Sequence, residues 1–327
     1  MKKIELVGKN ILVTGGAGFI GANLILSLLQ TVKYINILTI DNMNDYYDVS
    51  IKNWRLQRIE EEAKLNDRSS FEFIKGDISE RELVNRIFAD FKPNIVVNLA
   101  AQAGVRNSIT DPDSYIKSNI IGFYNILEAC RHSYDSYRGV EHLIFASSSS
   151  IYGNGKEIPY KVNSNTDSPV SLYAATKKSD ELLAHVYSHL YGIPTTGLRF
   201  FTVYGPGGRP DMAYFKFTQK LVNGEKIQIF NYGNCRRDFT YIDDVVKGVQ
   251  LVMAGAPEKS NEEFKPPYRI YNIGNHHPDN LMEFVEILQE ELIRANVLPV
   301  DYDFKKIWNS YQCKQEMWLL HMQILAN

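Results

Sequence analysis

Seven short runs rich in Val, Ile and Leu punctuate the chain, and helical patterns fill most of the gaps between them. The runs are "NILVTG" (10–15), "INILTID" (35–41), "FEFIKGD" (71–77), "NIVVNLA" (94–100), "EHLIFASS" (141–148), "TTGLRFF" (195–201) and "YRIYNIG" (268–274). Helical spacing of apolar residues is read near 19–31, 51–65, 79–91, 114–133 and 172–191, then near 211–223, 242–254 and 281–295. A strand that stays apolar residue after residue is buried on both faces, and strands alternating with helices pair in parallel. The expected fold class is therefore α/β, a doubly wound parallel Rossmann sheet of about seven strands. Its ligand crevice lies at the carboxyl ends of the strands. After Phe201 the texture turns to loops, glycines and prolines. The expected division is a Rossmann domain over 1–201, joined by the strand at 268–274, and a smaller interleaved C-terminal substrate lobe over 202–307. Residues 308–327 form an anomalous tail.

Bulk properties narrow the function class. The 327 residues are 44% hydrophobic and 23% charged, ordinary for a globular chain. A net charge of −2 offers no case for nucleic acid or an anionic membrane as partner. No apolar run approaches the roughly 18 residues of a membrane span. The N-terminus "MKKIELVGKNILVTGG" runs straight into a strand and has no small-residue cleavage site. Cys130, Cys235 and Cys313 are odd in number and far apart, so neither a disulfide framework nor a metal site is expected. A cytoplasmic location follows as the expectation.

Three motifs then line up in order. "VTGGAGFIG" (13–21) follows the first strand and opens the first helix, with Gly15, Gly18 and Gly21 spaced three apart. Glycines there permit a tight turn and close backbone approach to a pyrophosphate on the helix N-terminus. Asp41 ends the second strand, where a carboxylate can bind an adenosine ribose hydroxyl and repel a 2′-phosphate, favouring NAD over NADP. "FASSSSIYG" (145–153) puts four serines just beyond a strand end, and a serine hydroxyl there can pass a proton between a substrate hydroxyl and a phenolate. In "SLYAATKKSDELL" (171–183), Tyr173 and Lys177 share a helix face. An unperturbed tyrosine, with a pKa of about 10, is a poor base at neutral pH; a neighbouring ammonium favours the phenolate. The Leu182, Leu183, Val186, Leu190 rhythm marks the helix that follows. Glu181, His185 and His189 have ligand-like spacing, but no companion cluster supports a metal, so they read as structural or solvated. His276 and His277 read as loop residues.

Together these motifs resemble the short-chain dehydrogenase/reductases, extended branch. Longer stretches look like the UDP-glucuronate 4-epimerases: "DNMNDYYDVSIK" (41–52), "LAAQAGVRNS" (99–108), "SNIIGFYNILEACRH" (118–132), "RRDFTYIDD" (236–244), "PYRIYNIGN" (267–275) and above all the block 171–213. The similarity spans residues 8 to about 305. It implies an NAD-dependent isomerase that epimerises C4 of a UDP-sugar through a transient 4-keto intermediate, UDP-glucuronate to UDP-galacturonate. The alternatives on this scaffold are a UDP-glucose 4-epimerase and a UDP-glucuronate decarboxylase. A chain that binds NAD without catalysis is the reading from another class. The resemblance implies Ser148, Tyr173 and Lys177 as catalytic residues, with Ser150 the alternative serine. Phe19, Ile20, Asn42, Asp77, Ile78, Leu99, Ala100, Ala101, Asn119 and Phe200 would join the glycines and Asp41 around NAD, together with Tyr173 and Lys177. Arg106, Ser149, Ser150, Thr202, Arg209 and Arg237 would hold the UDP-sugar, with Arg209 at the sugar carboxylate and Arg237 at the diphosphate. A homodimer is also implied. Gly207 departs from the family's usual tryptophan, which bears on the shape of the loop carrying Arg209.

The tail "WNSYQCKQEMWLLHMQILAN" (308–327) shows no clear amphipathic plan. Read one base earlier, permitted codons can spell a Pro-Met-Gln-x-Gly-Asp-Val stretch like the family's own segment at this point. The expectation is a frameshifted, prematurely ended tail that weakens the UDP-sugar site and leaves NAD binding intact.

Overall fold

The computed structural model describes residues 1–66, 68–155, 159–230, 233, 235–259, 265–306 and 308–311. All seven apolar runs are strands of one sheet. In chain order they begin as β1 (Asn10–Thr14), β2 (Asn36–Asp41), β3 (Ser70–Lys75), β4 (Ile95–Asn98), β5 (His142–Ser148) and β6 (Thr195–Phe200). The chain then builds β7 (Thr202–Tyr204), β8 (Ile227–Phe230) and β9 (Arg236–Tyr241) outside that sheet. It returns with β10 (Tyr268–Ile273) and continues with β11 (Pro278–Asn280) and β12 (Trp308–Tyr311). Every neighbour in the order β10-β6-β5-β4-β1-β2-β3 pairs in parallel. The order reverses between β1 and β4, and a crevice opens at that switch point.

Helices α1 (Phe19–Thr31), α2 (Val49–Leu65), α3 (Arg81–Phe91), α4 (Phe123–Ser136), α5 (Leu172–Tyr191), α6 (Ala213–Val222), α7 (Ile242–Met253) and α8 (Leu281–Arg294) complete the layers. Consecutive residues of β1 serve opposite cores: Ile11 and Val13 join the cluster under α1 and α7, while Leu12 joins the cluster under α3 and α4. This is why the strands need unbroken apolar runs. A separate small-lobe core gathers Leu221, Ile227, Ile229, Val285, Leu298 and Phe304. There β7, β9 and β11 form one sheet, and β12 pairs with β8 in parallel. Residues 312–327, most of the anomalous tail, lie outside the described residues. No helix among the described residues is long and apolar enough to cross a membrane.

Two helical expectations change in detail. The pattern near 114–133 is not one α-helix: a short turn at Pro112–Tyr115 leads into a π-helical stretch, Ile116–Gly122, and then α4. The widened turn carries Asn119 inward, where its Oδ1 accepts the Gln102 amide and its Nδ2 donates to the Gln102 carbonyl and Thr176 Oγ1. Such bulges concentrate at functional sites. In α5 the expected faces are partly inverted. Lys177, Asp180 and Glu181 are buried, while Leu182, Val186 and Leu190 are exposed.

One buried group predicts the acid limit of the fold. His142 on β5 is fully buried with Nε2 2.8 Å from Thr196 Oγ1. Burial pushes its pKa down from 6.5 to about 4, against a smaller opposing effect of the Met253 backbone. Above about pH 6.5 both folded and unfolded chains hold it neutral, and its contribution to stability is complete. Between about pH 6.5 and 4 only the unfolded chain takes up the proton, so up to about 3 kcal/mol of stability is lost on acidification. Urea midpoints measured from pH 7.5 to 4.5 should fall more steeply for the wild type than for His142→Gln. Parallel profiles would remove His142 from the explanation.

Candidate active site

The glycine loop joins β1 to α1 and has room for no side chain where it turns. Gly15 has φ +74°, and a Cβ there would stand 2.7 Å from the Ala100 amide nitrogen. A Cβ on Gly21 would come within 2.4 Å of the Gly15 carbonyl oxygen. Gly18 is the N-cap of α1 and supplies no capping side chain, so the first-turn amides remain available to an external acceptor. This cradle fits a dinucleotide pyrophosphate. Phe19 is buried and Ile20 half-buried at the start of α1.

Beside the loop, a 460 Å³ cleft is lined by Asn42, Asn44, Lys75, Gly76, Asp77, Glu80 and Lys117. Burial opposes ionisation of Asp77, yet the Ser79 amide, Asn42 and Lys117 hold its carboxyl below the usual range. Ile78 is buried against Gly122, while Leu99, Ala100 and Ala101 form the half-buried segment after β4. Phe200 is buried at the end of β6. Asp41 sits where expected, at the end of β2, but its carboxylate is already committed. Oδ2 accepts the Ala17 amide, Oδ1 accepts the Met43 amide, and Lys52 Nζ stands 3.8 Å away. It therefore braces the glycine loop.

The catalytic candidates lie at the end of β5 and in the first turns of α5. Ser148 Oγ accepts hydrogen bonds from the Ser150 amide at 3.2 Å and the Ser150 hydroxyl at 2.9 Å, so Ser148 is the hub of the serine run. Ser149 is half-buried beside it. Tyr173 lies in the first turn of α5, whose N-cap Ser171 accepts the Ala174 amide. Its ring is half-buried, edge-on to Tyr115 at 6.1 Å, and its hydroxyl bonds to none of the described residues. Lys177 is on the same face but turned inward. Its ammonium donates to the Ala146 carbonyl at 3.0 Å and to Asp180 Oδ2 at 3.2 Å. Burial raises the Asp180 carboxyl to about 7, helped by Glu181 and opposed by Lys177. The helix reading of the sequence did not foresee this buried partner.

Behind the serines, Glu181 takes a two-point ion pair from Arg199 at 2.8 and 2.9 Å and accepts the Ser147 hydroxyl at 2.7 Å. Arg199 also donates to Tyr152 Oη and the Val162 carbonyl. His185 stays exposed, edge-on to Tyr268, and His189 is exposed.

The substrate-side candidates come from four separate segments. Arg209 grips Asp211 through Nε at 3.0 Å and Nη2 at 2.5 Å, and Tyr46 Oη donates to the same carboxylate. Burial would lower the Arg209 pKa, but Asp211 more than offsets this and raises it; Tyr46 and Tyr173 lie close enough to contribute. Burial, and to a smaller degree the like charge of Arg237 on β9, lower the pKa of Arg106 in the loop after β4. Thr202 begins β7, half-buried. Gly207 has φ +67°, and a Cβ there would meet the Trp54 ring at 3.1 Å. Trp54 of α2 thus covers the ground above Gly207.

A family model described as the NAD dependent epimerase/dehydratase family matches residues 11–274. The chain belongs to that family. Protein CapI of Staphylococcus aureus is 49% identical over 292 residues, covering 86% of this chain and 83% of that protein. UDP-glucuronate 4-epimerase 4 of Arabidopsis thaliana is 43% identical over 292 residues, covering 87% of this chain and 64% of that protein. Among solved structures, UDP-glucuronic acid 4-epimerase from Bacillus cereus, in complex with UDP-glucuronic acid and NAD, superposes with a TM-score of 0.74 at 31% identity. It covers 92% of this chain and 86% of that one.

Sequence reasoning about this epimerase/dehydratase family member missed Lys52, Arg55, Asp180 and Asp211. All four are polar groups close to the site. None stands in a motif with its own spacing rule, and only Asp180 and Asp211 lie next to residues already singled out. The remaining signal was negative: lysine and arginine on the face of α2 that should be apolar.

Proposed function

We propose that this protein interconverts UDP-glucuronate and UDP-galacturonate by NAD-dependent epimerisation at C4. The observation that carries this reading is Arg209, held on Asp211 within electrostatic reach of Tyr173 and Tyr46. A guanidinium held over the Tyr46 ring at 5.9 Å, in the same electrostatic neighbourhood as the candidate base, suits a sugar that bears a carboxylate. Ser149, Ser150 and Thr202 would share that carboxylate, and Arg106 with Arg237 would hold the diphosphate. Gly15, Gly18 and Gly21 would cradle NAD, with Asp41, Asn42 and Asp77 toward its adenosine half and Asn119 fixing the segment that follows β4.

The C4 hydrogen of a sugar is not acidic, and bound NAD supplies reversible hydride exchange there. Tyr173 takes the C4 hydroxyl proton, directly or through Ser148, and returns it to the C4 oxygen once the keto sugar has turned about its diphosphate link and shown the other face of C4 to the returning hydride. Ser148 is oriented for this by its two bonds from Ser150. Lys177 supplies positive charge one turn from Tyr173. Arg209 and its polar neighbours keep the carboxylate near the ring plane, where loss of carbon dioxide from the keto sugar is poorly aligned.

Feeding UDP-glucuronate should yield UDP-galacturonate. UDP-xylose as the product would instead identify a decarboxylase, and preferential conversion of UDP-glucose to UDP-galactose a glucose epimerase. Arg209→Ala should reduce kcat/KM for UDP-glucuronate roughly ten- to over a hundredfold, the loss of one charge-assisted hydrogen bond worth about 1.5–3 kcal/mol. UDP-glucose should be affected much less. Equal losses would place Arg209 on the shared UDP moiety. The exposed Leu182, Val186 and Leu190 stripe of α5 supports a homodimer, and the nucleotide-sugar substrate supports a cytoplasmic site of action.

A further inference from the structure

Arg55 of α2 has no role in the reading above, yet it is among the most fully engaged side chains near the site. It is 2% exposed. Its Nε and Nη2 donate to the Gly207 carbonyl at 3.0 and 2.8 Å, and Nη2 also donates to the Gly208 carbonyl at 3.1 Å. On the other side, Nη1 donates to the Ala17 carbonyl at 2.9 Å and to Tyr47 Oη at 2.7 Å. Every one of these acceptors is neutral. Taking a cation out of water without a counter-ion is costly, so its bonds must hold something that matters to the fold or the site.

What they hold is the join between two functional loops. Ala17 lies in the glycine loop, and Gly207 and Gly208 lead directly into Arg209. The 205–208 turn contains three glycines around Pro206, with Gly205 at φ +138° and Gly207 at φ +67°, and its Gly208 amide closes on the Gly205 carbonyl at 3.1 Å, so where it stands is set by what it is tied to outside. Arg209 in turn anchors on Asp211 only two residues away, and from outside the loop that pair is met by Tyr46, whose hydroxyl donates to Asp211 at 3.3 Å. The planar fork of Arg55 ties the turn directly to the glycine loop, and a lysine could not reproduce its spread of donors. Trp54, the preceding residue, covers Gly207 from the same helix.

We propose that Arg55 is a positioning residue for substrate discrimination: it sets where Arg209 stands relative to the glycine loop and hence to the reacting sugar. The proposal rests on the reading of Arg209 as the contact to the sugar carboxylate.

The test is to titrate the NAD-loaded protein with UDP-glucuronate and with UDP-glucose and compare the ratio of their Kd values, since the two ligands differ at the carboxylate. Arg209→Ala should collapse the wild-type preference for UDP-glucuronate. Arg55→Met should collapse it by about ten- to a hundredfold as the turn shifts, measured on protein brought to the wild-type NAD content because Arg55 also holds Ala17 of the glycine loop. Because Arg55 acts through Arg209, the double variant should discriminate no worse than Arg209→Ala alone. Arg55→Lys, which keeps charge and bulk if Arg55→Met fails to fold, should shift the ratio in the same direction by less. Should both Arg55 variants weaken the two ligands equally, or the double variant multiply the losses, the proposal is overturned while the reading of Arg209 stands. An Arg209→Ala variant with an unchanged ratio would overturn both.

Discussion

Tyr173→Phe is expected to lower kcat by about 10²–10⁴-fold while NAD stays bound. The phenyl ring can keep the edge-on contact with Tyr115 at 6.1 Å, so the start of α5 should not move. What is lost is the one hydroxyl in the first turn of α5 that bonds to none of the described residues and so remains available to a substrate. NAD retention should persist because the glycine loop, Asp41 and Asp77 lie on other segments. Turnover measured by product formation, together with the nucleotide released on denaturation, checks both halves. Wild-type turnover would mean that another group, with Ser148 the nearest candidate, is the base.

The second large effect is on stability. Arg199→Met should cost about 3–5 kcal/mol, because Glu181 would keep a buried carboxylate without its partner. The loss should appear as a lower urea midpoint. Adding Glu181→Leu should recover much of it, since an apolar pair avoids the desolvation that the ion pair must overcome. Activity should not recover in parallel. Glu181 also accepts from Ser147, and Arg199 holds Tyr152 and the Val162 carbonyl, so the pair anchors the strand end and the turn around Ser148. A stability loss under 1 kcal/mol for the single variant would show that the pair is solvated in practice.

The fold was legible because its strands had no choice of surroundings. Ile11, Leu12 and Val13 each meet a core, whichever face they point to, so an unbroken apolar run in the sequence carries the topology with it. The glycine loop was legible for a related reason: only glycine tolerates φ +74° against the Ala100 backbone. Tyr173 and Lys177 could be paired from spacing alone because a helix turn fixes which residues share a face. The π-helical stretch at Ile116–Gly122 could not, since it depends on Asn119 reaching Gln102 and Thr176 from elsewhere in the chain.

The sequence by itself thus determined the parallel sheet, the glycine turn after β1 and the placing of Tyr173 and Lys177 one turn apart on α5. The tertiary structure alone decided that Glu181 belongs to Arg199 and that Arg55 and Trp54 shape the turn before Arg209. The physical reason is range. Backbone sterics and hydrophobic periodicity act within a few residues and leave a pattern in the sequence. A polar contact between residues as far apart as 55 and 207 leaves none until the fold has brought them within 3 Å.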